Sequence, residues 1–167
     1  MSDAVLDAGP LIHLSELQAL DVISDFATLY VPSSVWAEVA QYQPSALTHP
    51  DLNFQKVENV NVDMNLATLS QALSLDQGEA DALALMASQS DAIFLTDDAA
   101  ARLAAEESGY KVHGTIGVLI RAVRKGHRSP EDVLSILSHL HENSTLYIRQ
   151  TLISDVVRRL EKEWLNR

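Results

Sequence analysis

Short unbroken apolar runs alternate along the chain with longer stretches in which apolar residues recur at helical spacing. Ala4-Val5-Leu6 is a run of the first kind and ends at Asp7. Gly9-Pro10 follows, and Pro is favoured at the first position of a helix. Leu11, Ile12, Leu14, Leu17 and Leu20 then supply one apolar face. Ala27 to Val31 predicts a second strand, and after Pro32-Ser33-Ser34 a helix runs through Val35, Trp36, Val39 and Ala40. Gln43 to Asp51, with Pro44 and Pro50, predicts a loop. Phe54 to Val62 alternates weakly, as an edge strand does, and Met64 to Leu73 predicts a helix. Gln77 to Gln89 predicts another, whose centre from Ala80 to Ala87 is apolar on every side except at Asp81. Ala92 to Leu95 predicts a buried strand, and Asp97 to Ser108 a helix stopped by Gly109. Lys111-Val112 predicts a brief strand, and Gly114 to Lys125 a helix stopped by Gly126. Ser129-Pro130-Glu131-Asp132 is a helix start, and Ser144 or Thr145 is placed to cap a last helix running toward Trp164.

Continuous apolar strands alternating with helices indicate a parallel sheet covered on both faces. The expected fold class is therefore α/β, a three-layer α/β/α sandwich with a central, mostly parallel sheet. A C-terminal helical appendage, residues 129–167, is expected to pack on the domain formed by residues 1–128. The sequence contains no internal repeat and no low-complexity segment.

Composition narrows the functional classes. The 167 residues are 47% apolar and 21% charged, a globular balance. A single domain of this size buries roughly 70% of its unfolded surface. The absence of cysteine excludes a disulfide scaffold, thiolate zinc sites and a cysteine nucleophile. No apolar run approaches the ~18 residues of a membrane helix, and no basic flank with an apolar stretch marks a secretory leader. A soluble, cytoplasmic protein is expected.

Charge is distributed unevenly. Residues 1–101 carry fifteen acids against one base, Lys56, whereas residues 102–167 carry eleven bases against eight acids. The net charge of −11 argues against broad, non-specific affinity for nucleic acid. Arg121, Arg124, Lys125, His127 and Arg128 form a local basic cluster, which also suits the negative end of a helix dipole.

In an open parallel sheet the functional crevice lies beyond the carboxyl ends of the strands. Asp7 ends the first strand, Asp97 and Asp98 follow Ala92 to Leu95, and Glu38 lies just over a helical turn after the second strand. Asp81 is the lone charge inside an apolar helix. Buried carboxylates need a partner or give up their charge, and cationic side chains are scarce in this half. A cluster of hard oxygen ligands suits Mg²⁺ or Mn²⁺. Each acid also has a plain structural reading. Asp76-Gln77-Gly78-Glu79 fits a capping box, Asp97 fits an N-cap for the following helix, and Asp7 fits the helix opened by Pro10. A helix interior offers Asp81 no free amide, so it is the acid a cap explains least.

Four segments together resemble the PIN-domain family, in particular its VapC-like toxin branch. Val5-Leu6-Asp7-Ala8-Gly9-Pro10-Leu11-Ile12 resembles the opening strand-to-helix motif, and Val31-Pro32-Ser33-Ser34-Val35-Trp36-Ala37-Glu38-Val39 the second acidic motif. Leu75-Asp76-Gln77-Gly78-Glu79-Ala80-Asp81-Ala82-Leu83-Ala84 is similar to the third, and Phe94-Leu95-Thr96-Asp97-Asp98 to the fourth. Gly114-Thr115-Ile116-Gly117-Val118-Leu119 is similar to a segment of one branch. The resemblance implies an endoribonuclease whose carboxylates hold Mg²⁺ or Mn²⁺. By position the catalytic, metal-holding acids would be Asp7, Glu38, Asp81 and Asp98, with Glu79 and Asp97 as further metal ligands. Thr96 would bond metal-bound water or orient Asp98. Arg102, Arg121, Arg124 and Lys125 would bind the RNA substrate, with Lys111 a further cation on that side. The resemblance also implies a homodimer and a small antitoxin partner.

Two other readings compete. A phosphoryl-transfer protein also gathers carboxylates around Mg²⁺. A phosphatase of the haloacid-dehalogenase kind, however, needs a second Asp two residues after its nucleophile, where Gly9 stands, and a receiver domain needs a Lys after its last core strand, whereas Lys111 lies within one. A catalytically weak or inactive PIN-fold module that pairs with a basic partner is the alternative favoured by the acidity of the first hundred residues. None of the six histidines is assigned a role; His13 is expected to pack or face solvent. Trp36 and Trp164 are expected to serve the core or an interface.

Overall fold

The computed structural model describes residues 1–166; Arg167, the last residue of the expected helical extension, lies outside them. Five strands, β1 (Ala4–Leu6), β2 (Leu29–Pro32), β3 (Phe54–Val57), β4 (Ile93–Leu95) and β5 (Lys111–His113), form one sheet in the order β3-β2-β1-β4-β5. Every pairing is parallel. The three residues of β1 are fully buried because β1 is central, pairing Ala4 with Leu29 on one side and with Ile93 on the other.

The pleat sorts these strand residues into two cores. Ala4, Leu6, Leu29, Val31 and Leu95 join one apolar cluster, and Val5 and Phe94 the other. The first is closed by α1 (Ala8–Glu16), α2 (Ser33–Tyr42), α6 (Thr115–Arg124), α7 (Pro130–Ser138) and α9 (Gln150–Trp164). The second is closed mainly by α4 (Gln77–Ser88) and α5 (Ala99–Glu107), with Leu66 of α3 (Met64–Ala72) at its margin. This is the expected α/β/α sandwich. Val133, Leu137, Leu140, Ile153 and Leu160 of the C-terminal helices belong to the same core as β1, so these helices share the domain's interior.

Several boundaries differ from expectation for local reasons. β3 ends at Val57, since Asn59 takes a positive φ of 53° and turns the chain out of the sheet. The segment after α2 contains a 3₁₀ helix over Pro44–Thr48. A short helix, α8 (Leu140–Asn143), follows α7, and the last helix starts at Gln150. Ser144 and Thr145 do not cap it. The Ser144 hydroxyl accepts from Leu146 N, while Thr145 donates through both N and Oγ1 to Glu16 Oε1, at 3.1 and 2.8 Å. Residues 144–149 therefore form a non-helical strap tied to α1.

The basic cluster is partly structural. Arg121 donates two hydrogen bonds to the Asp25 carboxylate, at 2.9 and 2.6 Å, and lies over the Phe26 ring. Arg128 bonds Asp21, Asp132 and the Gln18 carbonyl, fixing the start of α7 against the turn after α1. Arg121→Ala is expected to destabilise the fold by about 2 kcal/mol, because a paired, largely buried carboxylate loses its partner. Thermal unfolding checks this: an unchanged midpoint would show that the pair contributes nothing.

Candidate active site

Because β3 and β2 lie on one side of β1 and β4 and β5 on the other, the chain reverses direction across the sheet between β1 and β4. Ligand sites in open α/β sheets occupy the crevice at such a switch point. Asp7 leaves the end of β1 there, and Thr96-Asp97-Asp98 leaves the end of β4. A cleft of about 270 Å³ opens at this edge, lined by Asp7, Glu38, Asp76, Glu79, Asp97 and Asp98 among others. Six carboxylates from separate parts of the sequence thus share one concavity. Among the described residues its lining contains no Lys or Arg, and His13 is the one basic side chain.

Local hydrogen bonding explains how each acid is held. Asp7 is 5% exposed, with Oδ1 accepting from Ala8 N at 2.8 Å and Oδ2 from the Thr96 hydroxyl at 2.8 Å. Thr96 is fully buried and its Oγ1 also accepts from Asp98 N, so one hydroxyl joins the two strand ends. Of the two roles expected for Thr96, these bonds are those of orienting Asp98, and its full burial leaves it out of the substrate-binding set in which it was also expected. It orients Asp7 and Asp98 from behind.

Asp98 caps α5, its Oδ2 accepting from Ala101 N at 2.8 Å. The cap was expected from Asp97. Asp97 instead spends both oxygens on α1 and α6: Thr115 N reaches Oδ1 at 2.7 Å, while Thr115 Oγ1 and His13 Nδ1 reach Oδ2 at 2.6 Å each. The close approach depends on Gly114, where a Cβ would lie 2.8 Å from Asp97 Oδ1 and 3.1 Å from Arg102 Nη2.

On α4 the anticipated capping box is present, with Asp76 and Glu79 each accepting from the other's backbone N–H, and both acids line the cleft. Asp81 does not line it. Its carboxylate accepts from Ser34 Oγ at 2.6 Å and from Gln77 Nε2 at 2.8 Å, so the partner expected to be a cation is supplied by α2 and by its own helix.

Electrostatics registers the crowding. Desolvation raises the Asp7 pKa to about 7, against the hydrogen bonds from Thr96 and Ala8, with Asp76 and Glu38 adding to the rise. Glu79 also rises to about 7, through desolvation first and then the charges of Asp76, Asp7 and Asp98. Glu38 is raised by desolvation and by Asp76. Such mutual repulsion is relieved by protons or by a cation.

The donor set, carboxylate oxygens in a half-enclosed cleft, fits a hard divalent ion. Among the described residues no three acidic or histidine side chains already converge closely enough to enclose one. Mg²⁺ does not require that, because it keeps several waters and commonly takes one or two carboxylates. Asp7, Glu38, Glu79 and Asp98 are the side chains that could hold it.

The cations expected to meet RNA are dispersed. Arg102 lies beside Gly114 and Asp97, near the cleft edge. Arg124 and Lys125 are exposed at the end of α6, Arg124 in a shallow depression with Pro130 and Trp164. Arg121, expected to bind substrate, is taken by Asp25, which neutralises it within the fold. Sequence reasoning missed His13, whose partner Asp97 is 84 positions away, and the Thr145-Leu146-Tyr147 strap at the cleft mouth. No local pattern signals either.

An open parallel sheet with carboxylates at its switch point is a fold built to hold a ligand or a hard cation at that edge. A family model described as DUF3368, a PIN domain, matches residues 3–162. The chain belongs to this PIN-domain family. PIN domains are generally nucleases and typically use divalent metals. Comparison with curated proteins and with solved structures gave no match. Among the described residues no helix is long and apolar enough to cross a membrane.

Proposed function

We propose that this PIN domain is a metal-dependent endoribonuclease of the VapC toxin type, hydrolysing RNA phosphodiester bonds with Mg²⁺ or Mn²⁺. The observation that carries the reading is the convergence of Asp7, Glu38, Glu79 and Asp98 on one cleft from β1, α2, α4 and the end of β4. A divalent cation bound there would polarise a scissile phosphate and lower the pKa of a water molecule. Asp7 and Asp98, joined through Thr96, would hold the ion from the sheet side. Glu38 and Glu79 would face it from the helices, with Asp81 held away by Ser34 and Gln77. His13, oriented by Asp97, would contact substrate oxygens, and Arg102 would hold a neighbouring phosphate. A cytoplasmic homodimer inhibited by a small antitoxin completes this reading.

The second reading is a binding module without catalysis, favoured by carboxylates that are not already gathered into a metal triad. Incubating the protein with structured and single-stranded RNA in Mg²⁺ or Mn²⁺, and again in EDTA, separates the two. Internal cleavage that EDTA abolishes is expected. Intact RNA under all conditions would favour the binding module, and equal cleavage in EDTA would remove the metal from the mechanism.

A further inference from the structure

Two tyrosines stand at the cleft with no structural task. Tyr147 is 89% exposed and lines the acidic cleft; Tyr42 is 61% exposed and lines an adjoining groove of about 530 Å³. The two cavities share Gly9, His13, Glu38 and Thr145, so they are parts of one depression. Neither phenol hydroxyl has a hydrogen-bond partner among the described residues. The backbone beneath each ring is nevertheless fixed. On one side of Tyr147, Leu146 is buried and Thr145 is bonded twice to Glu16; on the other, the Ile148 carbonyl meets His141 Nε2. Beside Tyr42, Gln43 N donates to Val39 O at 2.7 Å, and Ser15 Oγ donates to Gln43 Oε1 at 3.2 Å. Exposed aromatic rings on a hydrogen-bonded backbone beside a cleft offer an apolar face and a polar tip to a ligand.

Charge identifies the ligand's presenting surface. The cleft and groove together display Asp7, Glu16, Glu38, Asp76, Glu79, Asp97 and Asp98, and among the described residues neither lining contains Lys or Arg. Such walls repel a phosphate backbone except where a cation or Arg102 meets it, so contacts indifferent to charge have to supply much of the affinity. A π face accepts any base without regard to charge. We infer that Tyr147, at the cleft, and Tyr42, in the groove beside it, are base-stacking platforms for the RNA that enters the cleft. Duplex RNA keeps its base faces inside the helical stack and cannot use either ring. The inference rests on the nuclease reading for the identity of the ligand, but its test does not depend on turnover.

The test compares a labelled single-stranded oligoribonucleotide with the same strand annealed to its complement. Binding is read by fluorescence anisotropy in Ca²⁺ and cleavage by product formation in Mn²⁺, for wild type, Tyr42→Ala, Tyr147→Ala, the double alanine variant and both Tyr→Phe variants. Each alanine variant is expected to weaken single-strand binding and raise KM about tenfold, since one base–aromatic stack is worth about a factor of ten in affinity. Tyr→Phe is expected to preserve both, and wild type is expected to bind the duplex at least about tenfold more weakly. If the double variant binds and cleaves as wild type does, the stacking proposal is overturned and the nuclease reading stands. Tyrosine-dependent binding without cleavage supports stacking and overturns the nuclease reading. Absence of both binding and cleavage in wild type overturns both. A double variant unchanged toward RNA that fails to bind a Lys/Arg-rich peptide held by wild type would assign the surface to a protein partner and overturn the proposal.

Discussion

Asp7→Asn is expected to reduce metal-dependent cleavage at least ~100-fold while raising the thermal stability of the metal-free protein at pH 8. The first effect follows from position: outer-shell partners of metal ligands typically cost 10–100-fold when lost, and Asp7 is the most enclosed oxygen donor in the cleft. The second follows from burial. An aspartate with a pKa of about 7 in the fold, against 3.8 for the ordinary side chain, is ionised at pH 8 only against the desolvation penalty. About three pH units at roughly 1.4 kcal/mol each cap that penalty at about 4 kcal/mol. The asparagine amide removes the charge and keeps an acceptor for Ala8 N. Its cost is at Thr96, whose hydroxyl donates to Asp7 Oδ2 and would face an amide donor instead. At pH 4, where Asp7 is protonated in wild type, only that cost remains and the variant is expected to be the less stable. Unfolding curves of the two proteins at pH 4 and pH 8 in EDTA, with an RNA cleavage assay in Mn²⁺, check all three statements. A variant that cleaves like wild type, or that is destabilised at pH 8, would remove Asp7 from the proposed centre.

The same buried carboxylate shows what could be read from the chain alone. A short apolar run closed by an acid and followed closely by Gly-Pro announces a strand end, an acid at the sheet edge and a helix start within the seven residues from Ala4 to Pro10. Asp98 and Glu38 were legible by the same logic, from their offsets to strand ends. The choice between Glu79 and Asp81 was not. The centre of α4 is apolar almost all round, so periodicity does not say which flank faces the sheet edge. What settles the placement is Ser34, 47 positions away, which takes up Asp81. The pairing of His13 with Asp97 and the strap that brings Tyr147 to the cleft are likewise contacts between distant segments. The charge asymmetry misled in one respect. Basic residues late in the chain looked like an RNA-binding set, but Arg121 and Arg128 balance Asp25 and Asp21 of the acid-rich half inside the fold.

Raising the pH from about 4 to about 7 is expected to destabilise the metal-free protein through its cleft, and a divalent cation is expected to cancel that loss. Asp7 and Glu79 both have folded-state pKa values near 7, above those of the unfolded chain, and Glu38 is raised as well. Between the two sets of values the native state binds more protons than the unfolded one, so stability falls as pH rises. The contribution is fully present below about pH 4 and lost as pH passes the folded-state values. Asp21, held by Arg128, and Asp25, whose burial is outweighed by Arg121, are lowered below 3.8, so their stabilisation fades only below that pH and leaves the window untouched. His113 acts oppositely: desolvation and nearby arginines lower its pKa, and its contribution is lost as pH falls below about 6.5. It is common to wild type and Asp7→Asn, so the difference between their stability curves isolates Asp7. A cation replaces the bound protons and binds tighter as they leave. At one hundred times its dissociation constant it adds about 2.7 kcal/mol. A fixed Mn²⁺ concentration should therefore raise the unfolding midpoint strongly at pH 8 and little at pH 5. An equal shift at both pH values would mean that Mn²⁺ binds away from these carboxylates. A wild-type curve parallel to that of Asp7→Asn across pH 4 to 8 would mean that Asp7 is not the proton-holding acid of the cleft.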